Sequence, residues 1–397
     1  MATTGGYGGY GGYGGYGGYG GYGGNAGYGG LTVGIDAGIA PRGAPAPYDP
    51  ILSTGMIIAS DGIGVPWRPA AAQPHRRLDG VEALNLWAPW VRGFILSSEV
   101  LPRLAFRPSA VEGAIDLLET VDLPNGDLSP RPLLRLRRPS EATLVAQMDL
   151  VRAYADLRVD RQAEITSQLG FPTPYYASIV SLHPARDGAV LELIAVVQGL
   201  AATASMRVKH ALAVRRPDEL SSQVMPIIPT PGHGSLPAAH AAEAFAVADL
   251  LKLLFFPDAA DAAQARGREA LDRQAARISA NRVVAGVHYP IDSYAGAALG
   301  RVLVAHLARR AGAAPAAFDA AWTFMAGADA VMEGDFDALA ITPAAAMPGL
   351  AAEAQGLSSA AVQGESAPCP PLKWLWDRAA AEIAARRGTG DVAGVGV

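Results

Sequence analysis

The sequence predicts a mainly α-helical protein, a bundle of long helices that follows an N-terminal region without helical character. Half of the 397 residues are hydrophobic and 17 % are charged, as in chains that bury a packed core. Alanine-rich segments, abundant leucine and an aromatic content of 7 % favour helices over strands. In residues 140–169, Leu144, Met148, Val151 and Leu157 recur at helical spacing between charges, which indicates an amphipathic helix.

Two segments before the bundle lack this pattern. Residues 1–30 repeat Gly-Gly-Tyr, and glycine at this density carries an entropy cost that sparse tyrosines cannot offset. We expect a disordered, flexible tail; the alternative is a self-association segment in which regularly spaced tyrosines stack on one another. Residues 31–80 are rich in Pro and Gly and are expected to form an extended arm over the surface.

The helical domain is predicted to span residues 81–385, with a flexible C-terminus at 386–397. The stretch GVEALNLWAPWVRGFILSSEVL begins it, and a long helix is expected at 189–216 because Pro217 cannot continue one. Further helices are predicted at 237–255, 260–288 and 290–312, and in the C-terminal stretch PLKWLWDRAAAEIAARR. No alternating run bounded by hairpin turns stands out, so strands are expected to be minor.

The composition excludes several classes of function. The net charge of −5 gives no basic surface for nucleic acid. Cys369 is the single cysteine, so one chain can form neither a disulfide framework nor a cysteine metal site. The N-terminus lacks the features of a signal peptide, and polar or charged residues interrupt the longest apolar runs. We therefore expect a soluble, cytoplasmic protein that binds neither nucleic acid nor a membrane.

The first of three charged patches is KHALAVRRP, residues 209–217. Lys209 and Arg216 stand seven residues apart, which is two helical turns, so they are expected to share one helix face that ends at Pro217. Two cations on one helix face are more often a solvated surface than a binding site, so this patch alone is weak.

The second patch is PTPGHGSLPAAHAAEAFAVADLL, residues 229–251. Pro237 suits the first position of a helix, and His240 follows in the first turns. The N–H groups at such a helix start can bind an anion. A single histidine there is more often a hydrogen-bonded core residue. His233, in the preceding loop, is a candidate to line the entrance of a site.

The third patch is NRVVAGVHYPID, residues 281–292. Arg282 falls in the last turns of one helix, and Pro290 starts the next, so His288 lies in the joint between them. Asp292 comes at about the third position of the second helix, where an acid is favoured. From there its carboxylate can accept the N–H of His288, fix the tautomer and leave the other ring nitrogen available as a nucleophile or ligand.

Together the patches supply three cations, two histidines and an orienting acid. Such a set suits a phosphate-like oxyanion, because Arg and Lys bind its oxygens while one His attacks the central atom and the other moves a proton. The order K-x6-R-P, P-x2-H and R-x3-G-x-H-x3-D resembles the signature of the type 2 phosphatidic acid phosphatase and vanadium haloperoxidase superfamily, which runs K-x6-R-P, P-S-G-H and S-R-x5-H-x3-D. The soluble bacterial haloperoxidase-like branch is the most similar.

The resemblance implies the helical bundle of that superfamily and a role for each matching residue. The residues that would bind the oxygens of phosphate or vanadate are Lys209, Arg216, Ala239 through its N–H, and Arg282. His240 would be the acid–base residue. His288 would be the phosphate nucleophile or the ligand to vanadium, and Asp292 would orient it. Gly286 is expected to permit close packing of the backbone at the bend.

The chain departs from the superfamily pattern at two places. The Ser and Gly of the middle motif are Ala238 and Ala239, so one hydroxyl that would bond the anion is missing. Losing one charge-assisted hydrogen bond is worth on the order of 1.5–3 kcal/mol, which weakens anion binding without destroying the site. Asn281 replaces the Ser before the motif Arg and can also donate a hydrogen bond.

Three functions stay open at this stage. The first is a vanadium-dependent haloperoxidase, with vanadate as cofactor on His288 and with hydrogen peroxide and a halide as substrates. The alternative is a soluble acid phosphatase that hydrolyses a phosphomonoester through a phosphohistidine and needs no vanadate; vanadate mimics the transition state of phosphoryl transfer, so one site can serve both. The third, suggested by Ala238 and Ala239, is a non-catalytic oxyanion-binding or scaffold protein. A homo-oligomer is compatible with each.

Overall fold

The computed structural model describes residues 54–55, 58–59, 62, 80–110, 112–170, 172–313, 322–324, 335–337 and 365–388. The predicted Gly-Gly-Tyr tail, nearly all of the predicted arm and residues 389–397 lie outside these ranges. The mainly helical fold expected from the sequence is confirmed, because helices dominate the described chain. Its ends and connections differ from the prediction at several points that bear on the site.

Ten α-helices are described along the chain, and three strands of a sheet lie between the first and the second. The helices are α1 (Pro89–Val100), α2 (Glu141–Tyr154), α3 (Arg158–Ser167), α4 (Thr173–Val180), α5 (Gly188–Leu212), α6 (Pro217–Leu220), α7 (Ala239–Phe255), α8 (Ala262–Val284), α9 (Pro290–Arg310) and α10 (Pro370–Gly388). Short 3₁₀ helices cover Glu82–Leu86, Leu101–Arg103, Ala155–Leu157 and Ser222–Val224. The predicted continuous helix at 140–169 is therefore two helices, α2 and α3, joined by a 3₁₀ turn.

Helix α7 is the centre of the bundle and is buried along nearly its whole length. It packs against α5, α8 and α9. Glycines let α9 approach closely: a Cβ on Gly296 would lie 2.5 Å from the carbonyl oxygen of Ala238, and one on Gly300 would lie 2.2 Å from that of Ala242. Because a larger residue would force the two helices apart, this contact sets the start of α7 against the second and third turns of α9.

Helix α5 ends earlier than predicted. It stops at Leu212, where Ala213 takes a left-handed conformation with φ of 47°. Arg216 is extended, with φ of −80° and ψ of 162°, and Pro217 begins α6. The residue before a proline is disfavoured in helical geometry, which explains why the helix cannot reach Arg216. The expectation that Lys209 and Arg216 share one helix face is therefore wrong.

A four-stranded sheet stands where the sequence predicted only minor strands. Strands β1 (Leu104–Pro108), β2 (Ala114–Asp122) and β3 (Leu128–Arg137) form an antiparallel meander, and β4 (Trp322–Phe324) pairs parallel to β3. Most of β2 is buried, and β3 contains two prolines. Neither strand therefore shows the clean alternation that marks a half-exposed strand in sequence. The sheet contacts α5 and α9.

One stretch of the described chain, Gly188–Leu220, which contains α5 and α6, has the length and composition to cross a membrane. Its most apolar window has a mean hydropathy of 1.7, and 89 % of that window is buried inside the protein. The sequence predicted no membrane span here, because polar residues interrupt the run. The core helix of a soluble protein meets the same criterion, so the cytoplasmic location stays a prediction.

Candidate active site

The joint between α8 and α9 holds His288 and Asp292 as predicted. Asp292 is the third residue of α9, and its Oδ2 accepts hydrogen bonds from the backbone N–H of Tyr289, at 3.0 Å, and from Nδ1 of His288, at 2.8 Å. The α9 start at Pro290 places this carboxylate over the helix N-terminus. With Nδ1–H donated to Asp292, Nε2 of His288 carries the lone pair.

A residue that the sequence analysis did not single out completes this pair. The hydroxyl of Ser235 donates to Oδ2 of Asp292 and lies 3.3 Å from Nδ1 of His288. Burial raises the pKa of Asp292 to about 6, and the Ser235 hydroxyl and Lys209 oppose that rise. Burial holds the pKa of His288 well below its usual value, with Arg216 and Lys209 adding to the effect. At neutral pH the pair is therefore a carboxylate and a neutral imidazole.

Arg216 reaches this pair from the loop after α5. Its Nε donates to the carbonyl oxygen of His233 at 2.8 Å, and its Nη1 donates to that of Val287 at 2.6 Å. The same Nη1 lies 3.5 Å from Nε2 of His288. The guanidinium is 1 % exposed, so it places a buried positive charge beside the candidate nucleophile.

Arg282 is a second buried cation at the same place. Its Nη2 donates to the carbonyl oxygen of Ile165 at 3.2 Å and to Oε1 of Gln168 at 3.1 Å. Its Nε and Nη1 are buried and find no hydrogen-bond partner among the described residues. Burial lowers the pKa of this guanidinium to about 10, so it stays charged at neutral pH. A buried cation with unsatisfied N–H groups is expected to bind an anion.

The start of α7 brings Ala239 and His240 to the same space. Ala239 is the first residue of the helix, so its N–H has no acceptor within the helix. Nε2 of His240 lies 3.0 Å from the carbonyl oxygen of Gln168. Burial lowers the pKa of His240 to about 3, and the charge of Arg282 adds to that effect. His240 is therefore neutral in the absence of an anion.

These residues line one small pocket, with an empty volume of about 340 Å³ that includes its open mouth. Its polar side is formed by Arg216, His233, His240, Arg282 and His288. Its other side is formed by Leu169, Ile228, Pro231, Ala239 and Val287. The placement of His233 at this pocket agrees with the sequence analysis, and its buried Nε2 lacks a partner within the described part of the chain.

Lys209 does not line this pocket. Its Nζ donates to the carbonyl oxygens of Gly234, at 2.9 Å, and Ser235, at 2.7 Å. Burial lowers the pKa of this amine well below its usual value, and Arg216 lowers it further. The visible role of Lys209 is to hold the loop that carries His233 and Ser235; direct binding of an anion by Lys209 stays a prediction.

The two departures from the motif pattern have different structural settings. Ala238 is fully buried, and its backbone N–H donates to the carbonyl oxygen of Asp292 at 2.9 Å. The amide of Asn281 faces α3, donating to Glu164 at 2.7 Å and to Gln168 at 3.0 Å. Asn281 therefore holds Gln168, which in turn contacts Arg282. Gly286 has a φ of +85°, and a Cβ there would lie 2.7 Å from Nη2 of Arg158, as the predicted close packing requires.

The donors that line the pocket are of the kind that suits an oxyanion. Among the described residues, no group of three or more His, Cys, Asp or Glu side chains is placed to hold a metal ion. What the pocket offers is one imidazole nitrogen, Nε2 of His288, together with two guanidinium groups. Phosphate and vanadate both fit such donors, since their oxygens accept from cations while the central atom bonds to one nitrogen.

Comparisons with known proteins identify one domain of this chain. Residues 189–314 match the family model described as PAP2 superfamily, so the chain carries a PAP2 superfamily domain that contains all seven predicted site residues. None of the curated proteins matches the chain. Among solved structures, the chain is similar to the first transmembrane PAP2 type phosphatidylglycerolphosphate phosphatase from Bacillus subtilis. That similarity has 21 % identity, covers 42 % of this chain and 84 % of that one, and has a TM-score of 0.32.

The superfamily predicted from the three motifs is therefore supported. The haloperoxidase-like branch is not, because the comparisons do not distinguish that branch from the phosphatases. With a TM-score of 0.32, the transmembrane phosphatase supplies no argument about the activity or location of this chain.

Proposed function

We propose that this protein is a phosphatase that hydrolyses phosphate monoesters through a covalent phosphohistidine at His288. The observation that carries the proposal is the pairing, in one pocket, of a neutral imidazole with unsatisfied N–H groups on a buried cation. His288 presents Nε2 to the pocket while Asp292 holds Nδ1. Arg282 contributes the charged N–H groups that lack a described partner.

In the first step, Nε2 of His288 attacks the phosphorus atom, and the bond from phosphorus to the ester oxygen breaks. Arg282 and Arg216 stabilise the charge that spreads over the equatorial oxygens. The new phosphoimidazolium is cationic because Nδ1 keeps its proton, and the carboxylate of Asp292 at 2.8 Å stabilises that charge. The departing oxygen takes a proton from His240, whose pKa rises when the phosphate charge offsets that of Arg282.

In the second step, water attacks the phosphorus atom of phospho-His288 and the bond to Nε2 breaks. His240, now neutral, accepts a proton from the attacking water. Inorganic phosphate leaves, and His288 returns to its neutral form with Nδ1–H on Asp292. His240 therefore alternates between acid and base, as expected for a residue whose charge depends on the bound anion.

The vanadium-dependent haloperoxidase expected from the resemblance is the second candidate. The observation that favours it is the same donor set, because Nε2 of His288 and the N–H groups of Arg216 and Arg282 would hold vanadate as well as phosphate. Bound vanadate would supply a Lewis acid that activates hydrogen peroxide toward a halide. The haloperoxidase function would require vanadate, a halide and hydrogen peroxide, whereas a phosphatase needs none of them.

The test is hydrolysis of an aryl phosphate by the purified protein, measured as phosphate release. We expect His288→Gln to lose about a thousandfold or more of kcat, because the nucleophile is gone. His210→Gln is the matched control, since His210 is exposed on α5 and lies outside the pocket. Orthovanadate should inhibit the wild-type protein as a mimic of the transition state.

The alternatives give different results in the same preparation. Bromide oxidation that depends on peroxide, appears after orthovanadate is added and is lost in His288→Gln would support the haloperoxidase and displace the phosphatase. A folded protein that binds phosphate but shows neither reaction would support the non-catalytic function. Aryl phosphate hydrolysis that His288→Gln leaves unchanged would contradict the phosphohistidine route.

A further inference from the structure

The C-terminal end of α3 lies against the pocket although it is outside the matched domain at 189–314. Gln168 follows α3 and is fully buried. Its two oxygens contact two different site residues. The side-chain Oε1 accepts from Nη2 of Arg282 at 3.1 Å, and the backbone oxygen lies 3.0 Å from Nε2 of His240.

The contacts of Arg282 show what this arrangement does. A guanidinium has five N–H groups, of which two belong to Nη2. Those two meet the carbonyl oxygen of Ile165 and Oε1 of Gln168. The three that remain, on Nε and Nη1, have no acceptor among the described residues. The end of α3 therefore supplies acceptors for Nη2 of Arg282 and leaves the N–H groups of Nε and Nη1 available to a ligand.

Gln168 is itself held in place. Its Oε1 also accepts from Nδ2 of Asn281 at 3.0 Å, and Asn281 is fixed by Glu164 at 2.7 Å and by Arg161 at 3.2 Å. A side chain held by its neighbours can orient a ligand-binding residue more sharply than a mobile one. The Asn that replaces the motif Ser at position 281 thus belongs to the support of Arg282.

The contact with His240 fixes a tautomer. A carbonyl oxygen only accepts, so Nε2 of His240 must carry the proton that it shares with Gln168. The lone pair of the neutral ring is then on Nδ1. Gln168 consequently influences both the anion-binding cation and the acid–base histidine from one position.

We propose that Gln168 is a positioning residue of the oxyanion site: its side-chain oxygen aims the Arg282 guanidinium at the anion, and its backbone oxygen sets the tautomer of His240. This inference rests on the proposed oxyanion site. It adds to that site a residue from a helix that the motifs do not include.

Gln168→Met tests the side-chain part, because methionine keeps the volume and the backbone oxygen but removes the acceptor. The measurement is binding of inorganic phosphate and of orthovanadate by calorimetry, together with kcat and KM for an aryl phosphate. We expect both anions to bind about tenfold more weakly, in line with the loss of one hydrogen bond to a charged group. KM should rise more than kcat falls, since His288 and His240 remain in place.

Gln168→Glu provides a second, nearly isosteric variant if Gln168→Met folds poorly. Its carboxylate would pair with Arg282 and compete with the ligand, so the loss of anion binding should exceed that of Gln168→Met. Gln198→Met is the control for a buried Gln-to-Met change, because Gln198 is buried in α5 away from the pocket lining. The control should bind phosphate as the wild type does.

A double-mutant cycle separates positioning from a general loss of structure. In an Arg282→Lys background, Gln168→Met should have little further effect on phosphate binding, because the acceptor acts through the guanidinium. An equal loss in both backgrounds, or wild-type binding by both Gln168→Met and Gln168→Glu, would overturn the role of Gln168 and leave the oxyanion site intact. A wild-type protein that binds neither anion would overturn the oxyanion site and this inference together.

Discussion

Arg282→Met is the most informative single substitution, because Nε and Nη1 of Arg282 have no acceptor among the described residues. Burial lowers its pKa from 12.5 to about 10. Since one pKa unit equals 1.36 kcal/mol, keeping the guanidinium charged costs the folded state about 3 kcal/mol. Methionine removes that charge and keeps much of the apolar volume.

The same substitution also removes two hydrogen bonds. The carbonyl oxygen of Ile165 and Oε1 of Gln168 would lose their bonds to Nη2. Each lost hydrogen bond costs about 1 kcal/mol, and Oε1 of Gln168 keeps its bond from Nδ2 of Asn281. The balance predicts a free energy of unfolding for Arg282→Met that equals that of the wild type or exceeds it by about 1 kcal/mol in phosphate-free buffer.

Adding phosphate should reverse the order of stability. At about 100 times its Kd, phosphate stabilises a protein that binds it by about 2.7 kcal/mol. The wild type should show this gain and Arg282→Met should not. The assay is urea denaturation followed by circular dichroism, with and without phosphate.

Arg310→Met is the matched control. Arg310 is also buried, but its Nε donates to the carbonyl oxygen of Ala367 at 3.0 Å and its Nη1 to that of Glu99 at 2.6 Å. This control should lose stability and keep its response to phosphate. If Arg282→Met instead unfolds about 2 kcal/mol more easily than the wild type without phosphate, Arg282 is a structural residue and the reasoning fails.

Three further predictions concern the acid, the middle motif and the helix contact. The pKa of Asp292 is raised to about 6, so phosphatase activity should fall as the pH drops through 6 and the carboxylate is protonated. Asp292→Asn should have low activity that no longer falls in this pH range. A pH–rate profile of Asp292→Asn with the same fall below pH 6 would contradict the role of Asp292. Ala238→Ser restores the motif hydroxyl and should tighten phosphate binding by about tenfold in calorimetry, whereas no gain would show that the hydroxyl cannot reach the anion. Gly296→Ala should lower the free energy of unfolding, measured by urea denaturation, by about 1–3 kcal/mol, because its Cβ would lie 2.5 Å from the carbonyl oxygen of Ala238. Gly170→Ala is the control, because its Cβ would meet no described atom within 4 Å. Equal losses of stability in the two variants would refute the close contact.

The parts of the site that the sequence predicted depend on local geometry. Pro290 starts a helix, so the positions of His288 and Asp292 relative to it follow from spacing alone, and their contact at 2.8 Å confirms the expectation. Pro237 is expected to begin α7 in the same way, but the helix starts two residues later, at Ala239, and His240 still falls in its first turn. The mainly helical class follows from composition and periodicity.

The parts that failed depend on backbone states or on distant contacts. The proline at 217 disfavours a helical Arg216, but no residue type near Ala213 marks the left-handed turn that already ends α5 at Leu212. Ser235 reaches Asp292 across 57 positions, and Gln168 reaches Arg282 across 114. Spacing rules cannot find such pairs, because only the tertiary packing of α3 against α8, and of the loop before α7 against α9, brings them together. Strands β2 and β3 were missed because burial and prolines hide their alternation.

The central claim is that Nε2 of His288 forms a bond to phosphorus during turnover. The most direct measurement is rapid acid-free quenching of the protein during aryl phosphate hydrolysis, followed by mass spectrometry of the peptide that contains residues 283–300. We predict a phosphoryl group on His288 that is lost on acid treatment and is absent in His288→Gln. Continued phosphate release with His288 unmodified in every quenched sample would contradict the account.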